Sequence, residues 1–324
     1  MAWAGELLRL LGARFPDAAL ERRYRKFRIT RYFLRDDGLQ AAVRAALIGA
    51  GAVRSLVNSG PTAGTAVMFV TLIAPLLQLA MRWLANRRGR TEAALAAYLW
   101  HRNAWAATSR VLLYPLFVRT WFIDIFQPSG PSTAWPGLLS YIFHASGAVI
   151  PFVTGGLYPV LMEHHLVIQP LSVLVIAHWQ QGPFCEVALA GDSGPGHVLT
   201  AWRALEAGSR QFLAAMYMGE VPAGPEPDPL PACRHVVLAL HVCVGLAATT
   251  YIAWLVEHTS RIHFLATEGW VGWMGWEPLG GLGILSQLAM GAGCLAVAWP
   301  VLGTLVLDRT PGAWEGGKGA ADVT

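Results

Sequence analysis

AGTAVMFVTLIAPLLQLAMRWL, residues 63–84, holds a single charged side chain, Arg82, in 22 positions. At 1.5 Å per residue it makes a helix of ~33 Å, enough to cross a hydrocarbon core of ~30 Å. Comparable apolar runs recur at 39–58, 104–126, 137–162, 235–257 and 281–306. The first of these is interrupted by Arg44 and Arg54. The whole chain, 324 residues, is 54% hydrophobic and 14% charged, against about 25% charged in a soluble globular domain. Its mean hydropathy is +0.43. These values exclude soluble enzyme folds, intrinsic disorder and fibrous architectures. The expected fold is all-α: a polytopic helical membrane bundle with six transmembrane helices.

A seventh apolar segment, LVIQPLSVLVIAHW at 166–179, has 14 residues and contains Pro170. It reaches only ~21 Å, so it is expected to be re-entrant, interfacial or an extension of the fourth span. The distribution of basic residues supports six spans with both termini cytoplasmic. That arrangement leaves 19 basic residues inside and only Arg261 outside. The expected organisation is a basic amphipathic cytoplasmic N-terminus at 1–37, a six-span membrane domain at 38–310, and a flexible tail at 311–324. Within the second lies a cytoplasmic loop, 163–234. In it Val198, Trp202, Leu205, Phe212 and Met216 recur at helical spacing, Gly219 can end that helix, and the Pro-rich strip 222–231 follows. Trp270, Trp273 and Trp276 read as interfacial anchors. Prolines 75, 115, 151, 159 and 300 suggest kinks within spans.

Residues 1–37 lack the apolar core and cleavage site of a secretory signal, and acidic residues interrupt the stretch as they would not in a transit peptide. Leu20, Tyr24 and Phe27 form a helical stripe bordered by Arg22, Arg23, Arg25, Lys26 and Arg28. Such a helix suits a bilayer surface, with the cations on anionic headgroups rather than on a nucleic acid. The stretch Phe15-Pro16-Asp17, Leu20-Glu21 and Tyr24, followed by this basic collar and a first span entered through Val43-Arg44, resembles the lead-in to the six-span membrane anchors of class III adenylyl cyclases. The resemblance covers about 35 residues and implies a six-helix anchor or receptor-like module. No cyclase catalytic domain follows and a 70-residue loop interrupts the bundle, so nucleotide cyclisation is not inferred.

Candidate chemistry is sparse. GDSGPG at 191–196 resembles the nucleophile loop of chymotrypsin-like proteases, but Gly, Asp, Ser and Pro are also what a turn before a helix uses. His144-Ala145-Ser146-Gly147 resembles the Gly-x-Ser-Gly of rhomboid intramembrane proteases, yet the last span carries no histidine base. The four cysteines show no metal-ligand spacing and read as small buried residues. No cofactor is expected. Haem b is the one the histidines could hold, if antiparallel fourth and fifth spans paired His144 with His258 and His164 with His241. Intramembrane charge points to function by default, and Arg44, Arg54, Arg110, Arg119 and Asp124 qualify, with Glu163 and Glu257 at span ends. Arg110 and Arg119, nine residues apart, are expected on roughly one face of the third helix, with Asp124 as a partner. That set would suit an anion path or an acidic ligand. The leading expectation is a non-enzymatic anchor, scaffold or receptor-like membrane protein. The alternatives are an anion transporter or channel and a haem electron-transfer protein.

Overall fold

A computed structural model describes residues 14–89, 91–119, 141–190, 192–217, 219–222, 224–269 and 284–307. The described residues are all-helical, with no strand. α1 (Ala18–Arg28) begins where the Asp17 carboxylate accepts from the N–H groups of Ala19 and Leu20. It continues through a π-helical turn, Ile29–Phe33, into α2 (Leu34–Ser59). No break therefore falls at residue 37; Phe33, Leu34 and Asp37 are already buried in the bundle. α3 (Ala63–Arg87), capped by Thr62, returns alongside α2. α4 (Glu92–Thr108) passes through the π turn Ser109–Leu113 into α5 (Tyr114–Phe117).

The fourth apolar run is not one straight helix. Its chain turns at Gly147, in the left-handed region at φ +80°, before α6 (Val149–Leu157). A Cβ there would sit 2.5 Å from Val118 Cγ1, so only glycine lets the two segments approach.

The segment 166–179 is neither short nor isolated. It forms the centre of α7 (Met162–Ala188), a helix of 27 residues and ~40 Å. α7 folds back antiparallel to the fourth segment. The Gln169 side-chain amide donates to the Pro151 carbonyl (2.8 Å), and that of Gln180 donates to the Ala145 carbonyl (3.4 Å). The expected loop 163–234 therefore begins as a core helix. α8 (Gly194–Tyr217) follows, burying Val198 and Trp202 while Met216 stays exposed. The described residues of the Pro-rich strip lie outside any helix only as far as Asp228. Pro229–Pro231 form the first turn of α9 (Pro229–Leu240), where a missing N–H costs nothing. α9 runs through the π turn His241–Ala248 into α10 (Thr249–Thr267). α11 (Ile284–Leu307) packs on α8 and α9.

Two of the described helices are long and apolar enough to cross a membrane: Ala63–Arg87, and the continuous 39-residue Pro229–Thr267. α7 is long enough but less apolar. Its polar side chains His165, Gln169, Ser172 and Gln180 are buried, while Val167, Leu171 and Leu174 point outward. A disulfide joins Cys185 at the end of α7 to Cys233 at the start of α9, Cα atoms 5.9 Å apart. These two are thus not merely small buried residues; their pairing across 48 positions leaves no local spacing signal.

Candidate functional site

Two charged clusters occupy the end of the bundle where α1, the start of α7 and the end of α10 meet. The first docks α1. Arg261 on α10 donates to both oxygens of Glu21 (2.8 and 3.1 Å) and to Glu257 (2.9 and 3.1 Å). Arg28 lies 4.0 Å from the second oxygen of Glu257. Tyr24 donates its hydroxyl to Ser260 Oγ (2.5 Å), which in turn donates to the Glu257 carbonyl. Burial opposes ionisation of Glu21, but the hydrogen bonds and charge of Arg261, the Phe15 N–H and Arg25 together hold its carboxyl below the usual range. Burial, and then the nearby Glu257 charge, push the Tyr24 phenol well above its ordinary value. Arg25 also reaches Glu21 (3.4 Å) and pairs with Glu163 (2.9 Å), so three guanidiniums face three carboxylates and the cluster is neutral.

The second cluster is not neutral. It surrounds Tyr158, at the turn between α6 and α7. The guanidinium carbons of Arg44 on α2 and Arg102 on α4 both lie 4.3 Å from the centre of the Tyr158 ring. Arg110, in the π turn after α4, donates to the Thr154 carbonyl (2.7 Å), to the Tyr158 carbonyl and to Gln169 Oε1 (3.3 Å). Arg102 makes a bidentate pair with Asp37 (2.6 and 3.0 Å), which also accepts from the Tyr98 hydroxyl. Arg44 bonds Gln78. Among the described residues, Asp37 is the one carboxylate bonded to any of the three arginines. Arg102, Arg110 and Asp37 are each 1% exposed.

Of the intramembrane charges singled out from the sequence, Arg44 and Arg110 belong to this cluster and Arg119 does not. Arg119 is exposed and donates to the Trp179 carbonyl (3.4 Å). Nine residues at 100° each leave the two half a turn apart rather than on one face. Asp124 lies outside the described residues, as do Trp270, Trp273 and Trp276 and the tail 311–324. Asp37 and Arg44 share α2, Arg102 comes from α4 and Tyr158 from the turn after α6, so no single sequence window could display them together.

The histidines are not paired as a haem would need. α6 and the α9–α10 helix run parallel, not antiparallel: Gly155 meets Thr249, and Pro151 meets Gly245. The reversal is made by α7, which intervenes as a full-length helix. His144 then lies toward the opposite end from His258, which stacks on Trp254. His164 is half-exposed beside Glu163 (3.6 Å). It sits two residues from Met162, which packs on Ala253, whereas Gln169 is the α7 residue level with Gly245. His241, wholly buried, hydrogen-bonds the Val237 carbonyl through Nδ1 (2.8 Å). No group of three or more His, Cys, Asp or Glu among the described residues could hold a metal ion.

Neither protease-like motif forms a catalytic pair. Ser146 is buried and its hydroxyl has no hydrogen-bond partner among the described residues. Gly194, in GDSGPG, opens α8, where the His197 N–H donates to the Ser193 carbonyl, as a turn preceding a helix does.

The basic collar is largely engaged. Arg28 is buried; Arg25 pairs with Glu163 (2.9 Å), Lys26 with Glu92 (3.6 Å) and Arg23 with Glu268. Arg22, Arg23 and Lys26 keep exposed side chains.

His235 carries no local sequence signal that marks it out. It accepts from Trp202 Nε1 at Nδ1 (3.1 Å), donates from Nε2 to the Trp299 carbonyl (2.9 Å) and stacks on the Trp299 ring (3.9 Å). It pins α8, α9 and α11 together near the disulfide.

Set beside known proteins, the chain matches no family model, no curated protein and no solved structure.

Proposed function

We propose that this chain is a multi-pass membrane protein that acts as a non-enzymatic anchor, scaffold or receptor-like module. The observation that carries this reading is the inversion of burial. Leu39, Leu47, Val57, Trp100, Val167 and Leu174 are 59–77% exposed, or more than half bare, while Arg102, Arg110, His165, Gln169 and Gln78 are 0–4% exposed. In water such an arrangement would leave an apolar surface uncovered and charges desolvated. In lipid it is the expected one.

The reading carries a topology of seven crossings, α7 being the added one, with the N-terminus cytoplasmic. The Cys185–Cys233 end then faces the oxidising side, where a disulfide persists. Fifteen basic residues lie inside against five outside, so the positive-inside bias keeps its sign. Arg22, Arg23 and Lys26 remain for anionic headgroups; Arg28, buried in the α1 cluster, does not.

The test is twofold. Alkaline carbonate should fail to extract the chain from membranes, and extraction would refute the membrane reading. An epitope inserted at 224–228 should be accessible from the non-cytoplasmic face of intact cells or vesicles. Access from the cytoplasmic face alone would remove the seventh crossing and restore the six-span topology.

A further inference from the structure

The cluster around Tyr158 carries more positive charge than its protein partners answer. Among the described residues, Arg44, Arg102 and Arg110 have the single carboxylate Asp37 between them, whereas the neighbouring α1 cluster balances Glu21, Glu163 and Glu257 against Arg25, Arg28 and Arg261. Arginine does not shed its proton as a lysine or histidine does, so burial does not relieve the excess by neutralisation. Carbonyl and amide oxygens from Thr154, Tyr158, Gln169 and Gln78 satisfy some donors. Two buried guanidinium N–H groups still have no acceptor among the described residues: Arg102 at Nη1 and Arg110 at Nε. The Gln78 side-chain amide nitrogen, bonded through its oxygen to Arg44, is a third such donor. Buried charge without a counter-charge is strongly unfavourable, and planar guanidinium donors match an oxyanion closely.

We infer that Arg44, Arg102 and Arg110, gathered around Tyr158, form a binding site for a small oxyanion, a carboxylate or phosphate group. The inference rests on the membrane-bundle reading for the low dielectric around the site. Asp37 holds Arg102 in place through its bidentate pair, and Gln169 and the α6 carbonyls hold Arg110. Arg44 is only half-buried, so it is the member of the set through which an anion would reach the other two. Because Thr154 and Tyr158 lie on α6 and the turn that follows it, an anion drawn to Arg110 also fastens the α6–α7 hairpin to α2 and α4. Such coupling is what a receptor-like module requires.

The test uses the full chain, purified in detergent, with unfolding followed by tryptophan fluorescence. Sodium acetate and sodium phosphate are titrated against sodium chloride at constant ionic strength. At a hundredfold excess over half-saturation the oxyanion should raise the unfolding midpoint by about 3–6 °C, saturably. R110Q should abolish the rise. R44Q should weaken half-saturation at least tenfold; its side chain is half-buried, so this variant keeps the test decisive if R110Q does not fold. Identical midpoints in all three salts overturn the site, as does an R44Q chain that responds like the native one. In nanodiscs, a phosphate response that vanishes when phosphatidylcholine is replaced by phosphatidylglycerol identifies a lipid headgroup as the natural source. A response that persists identifies a soluble anion. Carbonate extraction judges the membrane reading separately, so failure of one leaves the other standing.

Discussion

Replacing Glu21 with alanine should release α1 from the bundle without unfolding the rest. Glu21 is 6% exposed and accepts from Arg261 twice, from the Phe15 N–H and from Arg25. Breaking a buried ion pair from one side typically costs about 3–5 kcal/mol. Here the orphaned Arg261 keeps two bonds to Glu257, so a cost of about 2–3 kcal/mol is expected, nearer the value of hydrogen bonds to a charged group. At RT ≈ 0.59 kcal/mol that raises the open fraction of α1 roughly 30- to 160-fold. Hydrogen exchange of peptides covering 18–28, measured by mass spectrometry in nanodiscs, reads this directly, with residues 162–188 as an internal control. Exchange within about threefold of the native rate would refute the view that this ion cluster holds α1. So would equal acceleration in α7, because the loss would then be global rather than local.

The same cluster sets a pH window. The folded Glu21 carboxyl lies below its unfolded value, so its contribution is present above the unfolded pKa, near 4.5, and is lost as pH falls through the folded one. Tyr24 behaves oppositely: its phenol is raised, so its contribution is full below pH ~10 and lost at higher alkalinity. Protection of α1, its exchange taken relative to the intrinsic amide rate at each pH, should therefore be greatest between these limits, and protection that is flat from pH 3 to 7 would contradict the Glu21 assignment. C185S with C233S should lose up to about 4 kcal/mol by chain-entropy reasoning over a 48-residue separation, read as a lower unfolding midpoint. A thiol-labelling gel shift that grows by two labels on reduction, beyond the label carried by free Cys243, confirms that the bond forms. G147A combines a positive φ with a 2.5 Å approach to Val118 and should cost about 2–4 kcal/mol. G89A has a similar φ but open space around it, and should cost only about 1 kcal/mol. Equal effects would mean that packing against Val118 contributes nothing.

Helical content is legible in the apolar runs because it is a local property, though not at 92–103 or 180–188, where α4 and α7 extend beyond them. Apolar runs of 20 or so residues, the Asp17 and Thr62 caps, and the sparse charge each act over a few positions. The helical stripe of 198–216 was likewise visible, since one helix face is set by its own periodicity. Arg110 could be singled out because a charge within an apolar run stands out against its neighbours.

What those local signals could not specify was which faces meet. The π turns at 29–33, 109–113 and 241–248 each shift the helical phase, so residues on either side no longer share the face that a uniform 3.6-residue period assigns. The segment 166–179 reads as a short run because His165 and Gln180 bound it and Gln169 and Pro170 interrupt it. Only the bundle reveals that the His165, Gln169 and Gln180 side chains point inward, with α7 extending to both sides of the run. That one helix reverses the direction of everything after it, makes α6 and α10 parallel neighbours, and separates the histidines that an antiparallel pairing would have joined. Composition and periodicity determined that the chain is helical and where its apolar stretches lie. Tertiary structure alone decided that Cys185 meets Cys233 and that Arg44, Arg102 and Arg110 converge on Tyr158. Each of those contacts joins residues tens of positions apart, whose approach depends on how whole helices pack rather than on any window of sequence.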